Sequence, residues 1–184
     1  MTTVDRDPDR LLDGRVLLRQ PVEGYRAAVD PVMLAAAVEE ARGGPVLDVG
    51  AGAGAVSLCL ATRCPSLAIV GAEVDADSLA LARRNAEENR LMERVSFEEA
   101  DVADAPPPEW REAFRQVVSN PPFAPARSGK PSPDVGRAQA NVESTADLDR
   151  WIDFCLGCLR PKGTLTLIQR ADRLDALLRC LEGR

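Results

Sequence analysis

The chain has 184 residues, of which 45% are hydrophobic and 28% charged, the composition of one ordinary globular domain. That length can bury a core without disulfides or metals, and no apolar run reaches the ~18–20 residues needed to cross a bilayer. Histidine is absent and the net charge is −6, which excludes histidine-based acid–base and nucleophile chemistry and argues against sequence-independent nucleic-acid binding by the surface as a whole.

Residues 1–10 are charged and lack the apolar centre of a secretory signal, so the cytosol is the expected compartment. Residues 1–44 read as an N-terminal helical segment of a single domain. Within them, Asp30 before Pro31 reads as an N-cap and first helical position, opening a helix to about Ala41. Residues 45–49 form a short buried strand, 50–54 a tight turn and 56–63 a helix. Residues 67–73 make a second strand, after which Asp77 caps a helix to about Arg90 with Leu79, Ala82 and Ala86 on one face. Val95 and Phe97 mark a third strand and residues 116–119 a fourth. A helix opening at Ser144 or Thr145 carries the stripe Leu148, Ile152, Cys155, Leu156 and Leu159 and is ended by Pro161 and Gly163. Residues 165–168 make a fifth strand, and a last helix carries Leu174, Leu177, Leu178 and Leu181. Such alternation predicts an α/β fold: a Rossmann-like, doubly wound, mainly parallel sheet of about five strands over residues 45–184.

In such sheets, ligands bind beyond the carboxyl ends of the strands. After the first strand comes Asp48-Val49-Gly50-Ala51-Gly52-Ala53-Gly54, in which glycines let backbone approach a ligand. Glu73 and Val74 follow the second strand, where a carboxylate can accept both hydroxyls of a ribose. Asp101 and Val102 follow the third, where they suit an amino donor such as the adenine edge. A ligand-free βα turn and a dinucleotide site (Gly50, Gly52 and Ala55, with Glu73 at suitable distance) both fit the glycines. S-adenosylmethionine fits more of the residues, because Asp48 can face its cationic amino group and the two later acids match ribose and adenine.

The fourth strand runs into Asn120-Pro121-Pro122-Phe123. The prolines withhold N–H groups and stiffen the backbone, so the Asn120 side-chain oxygen and Pro121 carbonyl can converge on a planar amino group. Gripping both its hydrogens turns the lone pair toward an electrophile, and Phe123 offers a face for stacking. No strong base is needed, because the alkylated amine loses its proton late. The bland alternative is a loop that merely ends a strand. Of five cysteines, Cys155 and Cys158 form one Cys-x-x-Cys without further ligands at zinc spacing, so both read as packing residues and no metal is expected. Charge is uneven. Residues 71–104 hold ten acids against four arginines, whereas 124–140 carry Arg127, Lys130 and Arg137 against Asp134 alone. Those three bases read equally as phosphate contacts or as a solvated loop.

These motifs resemble the class I S-adenosylmethionine-dependent methyltransferases, in the subset whose Asn-Pro-Pro-aromatic motif methylates planar amino groups. The chain is further similar to the tRNA1(Val) adenine-N6 methyltransferase family over about residues 10–184. The resemblance is carried by residues 20–37 (QPVEGYRAAVDPVMLAAA), 46–54 (VLDVGAGAG), 70–75 (VGAEVD) and 117–123 (VVSNPPF), with Ser132-Pro133-Asp134 and Trp151-Ile152 also fitting. It implies methyl transfer to adenine N6 in a tRNA anticodon loop. Asp48, Gly50, Gly52, Glu73, Val74, Asp101 and Val102 would hold the cofactor, and Asn120, Pro121, Pro122 and Phe123 the target amino group. Tyr25, Arg26 and Asp30 match an upstream cofactor-side segment, although Tyr25 also reads as a staple over the following helix and Asp30 as its cap. The same motif occurs in rRNA guanine-N2 and release-factor glutamine-N5 methyltransferases, and a non-catalytic S-adenosylmethionine-binding scaffold is a further alternative. Relatives continue past the fifth strand with a β-hairpin and basic segments. Ending at Arg184 leaves that strand as an edge, which implies low stability or a homodimer that covers it.

Overall fold

The computed structural model describes residues 7–22, 26–121, 124–125, 142–143 and 148–184. In chain order the elements are β1 (Asp9–Leu11), β2 (Val16–Leu18), α1 (Asp30–Ala37), β3 (Val46–Val49), α2 (Ala55–Arg63), β4 (Ile69–Glu73), α3 (Ala76–Glu88), β5 (Val95–Glu99), β6 (Phe114–Ser119), β7 (Ala124–Pro125), β8 (Val142–Glu143), α4 (Leu148–Cys158), β9 (Leu159–Leu167) and α5 (Leu174–Leu181). Five strands pair in the order β5-β4-β3-β6-β9, every pair parallel. The chain lays β3, β4 and β5 outward in one direction, then returns to place β6 and β9 on the other side of β3. Strand order therefore reverses between β3 and β6, the position where parallel sheets bind ligands.

Period-two alternation decides which side chains meet which layer. Val46 of β3 and Val118 of β6 join one core with α1, α2 and α3, including Leu34, Leu58, Leu60, Leu79, Ala82 and Phe97. Leu47, Val49 and Val117 face the other way, against Trp110, Phe114, Phe154, Cys155 and Cys158. Both faces of the central strands are covered, so β3 is buried at every position and β6 at all but Arg115. Helix α5 lies over α4 and β9 through Leu177 and Leu181, while Leu174 and Leu178 remain exposed. All five cysteines are buried and reduced. Burial pushes the Cys59 and Cys158 thiols up to about 12 and Cys155 higher, so Cys155 and Cys158 act as small apolar residues on the inner side of α4. No helix among the described residues is long and apolar enough to cross a membrane.

Four helix ends differ from the sequence expectation, the first being that α1 stops at Ala37 rather than about Ala41, as Val38 turns extended. Asp30 does not cap α1. The Val29 carbonyl already accepts from Val32 and Met33, so Val29 is the N-cap, and no side chain bonds there. Asp75 rather than Asp77 caps α3, its Oδ2 accepting from Ser78 N at 2.8 Å, because the helix starts directly after β4. Asp77 falls in the first turn, where its charge suits the helix dipole. Helix α4 ends before Pro161 and Gly163: Leu159 already pairs with Phe114, and the ladder resumes at Thr164 with Gln116. The intervening residues bulge out, with Lys162 at φ +64°.

The antiparallel hairpin β1–β2 lies in the segment expected to be helical. It turns through Leu12, Asp13 and Gly14, all at positive φ, and buries Val16 and Leu18 completely. Its Asp-Gly flanked by leucines and valine is an ordinary hairpin signal. Arg19, just beyond, places its Nε 2.7 and 2.8 Å from the Glu88 carboxylate oxygens and holds that carboxyl below its usual range.

Phe97 of β5 lies where a Cβ on Gly71 of β4 would meet its ring at 2.4 Å. Gly71→Ala is expected to lower stability by about 1–3 kcal/mol through overpacking. In denaturant melts, combining it with Phe97→Leu should lose less than the sum of the single losses. Additive losses would contradict the contact.

Candidate active site

The pairing Val49↔Ser119 sets the end of β3 beside the end of β6. The chain leaves β3 through Gly50, Gly52 and Gly54, at φ +74°, +55° and +87°. Both Gly50 N and Ala51 N donate to Ala72 O at 2.9 Å, which folds the turn back onto β4. A Cβ on Gly50 would lie 2.8 Å from the Trp151 ring, whereas a Cβ on Gly52 would meet nothing within 4 Å. One glycine is therefore needed for packing beneath the turn, and the other opens onto free space.

The predicted carboxylates stand around this turn. Asp48, 1% exposed, points from β3 toward α2, and its Oδ2 accepts from Ser57 N at 3.1 Å and Ser57 Oγ at 2.7 Å. Burial pushes its pKa up to about 6; the Ser57 bonds oppose this and the nearby Glu73 charge adds to it. Glu73, at the end of β4, accepts from Gly52 N at 2.8 Å through Oε2 and from Val74 N and Asp75 N at 2.9 Å through Oε1. It bridges the glycine turn to the start of α3. Val74, though apolar, is 53% exposed beside it. Asp101, after β5, accepts from Ala103 N at 2.8 Å, and Val102 packs half-buried against the second core.

Beyond β6, Asn120 Oδ1 and Pro121 are buried. The neighbouring Ser119 hydroxyl donates to Val49 O at 2.7 Å and accepts from Trp151 Nε1 at 2.8 Å. Trp151 thus fixes α4 to both strands at the reversal point while its ring rests on Gly50. The sequence marks Trp151 only as part of a family phrase and does not single out Ser57 or Ser119. An indole on an amphipathic helix gave only a core signal, and small hydroxyls gave none.

Arg26 donates to Asp9 Oδ2 at 2.7 Å and to Pro21 O at 3.2 Å. Buried Gln20 reaches the same Asp9 oxygen at 2.7 Å and accepts from Ala27 N at 2.6 Å. Arg26 therefore ties the upstream segment to the hairpin. Asp30 stands partly exposed at the start of α1. Tyr25, Pro122, Phe123, Arg127, Lys130 and Arg137 lie outside the described residues. Among the described residues no group of three or more histidine, cysteine or acidic side chains could hold a metal ion.

This strand order, with a glycine bend after the central strand and groups for a ligand at the next ends, is a Rossmann-like methyltransferase fold. Residues 28–173 match the family model described as the methyltransferase small domain, and the chain belongs to that family. It is 34% identical over 158 residues to a tRNA1(Val) (adenine(37)-N6)-methyltransferase of Porphyromonas gingivalis, an alignment that covers 83% of this chain but 61% of that protein. It is 36% identical over 119 residues to a release factor glutamine methyltransferase of Chlorobaculum tepidum, covering 62% of this chain and 40% of the relative. The fold matches the crystal structure of a "predicted O-methyltransferase" from Agrobacterium tumefaciens at a TM-score of 0.66 and 22% identity, covering 84% of this chain and 68% of that one. It also matches TYW2 of P. horikoshii in complex with MeSAdo at 0.60 and 15%, covering 89% and 50%.

The raised pKa of Asp48 has a defined consequence. Between the ordinary carboxyl value of 3.8 and about 6, the folded chain holds a proton that the unfolded chain releases. The Asp48 contribution to stability is therefore fully present below about pH 4 and is lost as pH rises through about 6, by on the order of 3 kcal/mol. Asp48→Asn retains an acceptor for Ser57 and removes this slope. Denaturant melts from pH 4 to 7 should show the variant gaining stability relative to wild type as pH rises. A constant difference would contradict burial of an ionisable group.

Proposed function

We propose that this domain binds S-adenosylmethionine and transfers its methyl group to the exocyclic N6 of an adenine in a tRNA anticodon loop, in the cytosol. The observation that carries the proposal is the side-by-side pairing of β3 and β6, which brings the glycine bend next to Asn120 and Pro121. The similarity to tRNA1(Val) adenine-N6 methyltransferases over most of the chain supports the acceptor. The second reading, a protein glutamine acceptor, is favoured by the likeness to a release factor glutamine methyltransferase.

The residues fit this cofactor. Space is open at Gly52, a carboxylate lies at the lip of the turn, and an apolar side chain stands exposed beside it. Glu73 would hold the ribose hydroxyls, Val74 would cover the adenine face, and Asp101 with Val102 would meet its edge. Asp48, Gly50 and Gly52 would line the amino-acid end, where a cationic amino group would offset the desolvation of Asp48. Arg26 would act at one remove, holding the segment that contains Tyr25, with Asp30 beside it. When bound, S-adenosylmethionine supplies a methyl group on a cationic sulfur.

The chain's own part is alignment. Asn120 Oδ1 and the Pro121 carbonyl accept the two N–H groups of a planar amine, which holds its lone pair in one direction. Phe123 would stack on the base, and the ring of Pro122 would limit rotation of the backbone. A loop base is reached without melting a duplex. Arg127, Lys130 and Arg137 would meet phosphates, which position the RNA rather than specify it.

Calorimetry should show binding of S-adenosylhomocysteine and none of NAD; the reverse would overturn the cofactor reading. Asn120→Ala should lower methylation of unmodified tRNA1(Val) by about 100-fold or more, with S-adenosylhomocysteine affinity nearly unchanged. Surviving activity would remove Asn120 from the acceptor grip. Methylation of release factor alone would transfer the function to the second reading.

A further inference from the structure

Two asparagines of α3 have the spacing of a strand. Four residues of helix rise ~6.0 Å, close to the ~6.6 Å spanned by two residues of a strand. Asn85 and Asn89 share a helix face, and opposite them run the backbone groups of Leu17 and Arg19. Asn89 Oδ1 accepts from Leu17 N at 2.8 Å, and its Nδ2 donates to Leu17 O at 2.6 Å. Asn85 Oδ1 accepts from Arg19 N at 2.9 Å, and its Nδ2 donates to Arg19 O at 3.0 Å. The two amides thus serve the open edge of β2 as a neighbouring strand would.

Of the two, Asn85 alone also reaches the glycine bend. Fully buried, it donates through Nδ2 to Ala53 O at 2.9 Å. That carbonyl is where Ser57 N would bond if α2 began one residue earlier, but Ser57 N goes to Asp48 Oδ2. Asp48 and Asn85 have divided one helical hydrogen bond between them: the carboxylate takes its N–H and the amide its C=O. The bend is thereby held open between two side chains, one from the central strand and one from α3.

We propose that Asn85 is a positioning residue for the cofactor turn, coupling the shape of residues 50–54 to the docking of the N-terminal hairpin. The coupling rests on the reading of that turn as an S-adenosylmethionine site. It extends into the upstream segment, because Arg19 is followed by Gln20, whose amide fixes Ala27. Cofactor binding and hairpin docking then favour one another reciprocally, as linked equilibria must.

The test is calorimetric titration of wild type, Asn85→Ala and Asn89→Ala with S-adenosylhomocysteine. Asn85→Ala should weaken binding by about tenfold or more, within the usual range of coupling. Asn89→Ala removes the bonds to Leu17 but leaves Asn85 holding Arg19 against the turn, so the docked segment next to the turn is kept and binding should stay within about twofold, on the same scale. Equal losses, or an unchanged Asn85→Ala, would overturn the coupling while leaving the cofactor reading intact. Wild type that fails to bind would overturn both. Hydrogen exchange on the wild-type protein keeps the proposal exposed where Asn85→Ala does not fold. Adding S-adenosylhomocysteine should slow exchange at the Arg19 amide together with residues 51–54; slowing confined to the turn would refute the link.

Discussion

At the end of β3 the chain must bend sharply while aromatic rings press against it. Trp151 lies where a Gly50 side chain would be, and Phe97 lies where side chains on Gly54 and Gly71 would be. Glu73 then bonds an amide of the bend, Gly52 N. Removing side chains at these places lets α4, β4 and β5 close around the turn and still leaves Gly52 open to a ligand. Parallel pairing sets the carboxyl ends of β3, β4 and β6 together, and the bend lets the chain leave β3 without covering them.

The electrostatics of the site follow from its burial. Asp48 has little water to support its charge and depends on Ser57 for hydrogen bonds, with Glu73 adding like charge nearby. Under the proposed reading, the cationic amino group of S-adenosylmethionine would relieve both effects. It has no histidine, and its cysteines are held as thiols in the core. Chemistry that relies on alignment and oxygen acceptors, rather than on a strong base, suits those residues.

The chain spans 61% of the length of the tRNA1(Val) relatives from Porphyromonas gingivalis. Relatives named for an RNA acceptor and for a protein acceptor both align with it. A planar amino group is common to adenine and glutamine, so the grip proposed for Asn120 and Pro121 is compatible with either. Discrimination between them must come from contacts around the grip, where charge and shape differ.

Much of this was legible in the sequence because it rests on local rules. Alternating apolar strands and amphipathic helices identified the sheet; glycines marked the bend; acids and the Asn-Pro-Pro segment marked the strand ends. Helix boundaries were less legible, since Asp75 and Asp77 are both good caps and only the exit from β4 selects Asp75. Other features depend on partners distant in sequence. Asn85 and Asn89 resemble ordinary polar residues of a helix until Leu17 and Arg19 dock against them, and Trp151 gains its role only when Ser119 and Gly50 arrive beneath it. Residue type and spacing along the chain determined which chemical groups this protein has and at which strand ends they stand. Which side chains complete one another's hydrogen bonds was decided by tertiary packing, because a buried donor or acceptor takes whichever partner the assembled layers bring within reach.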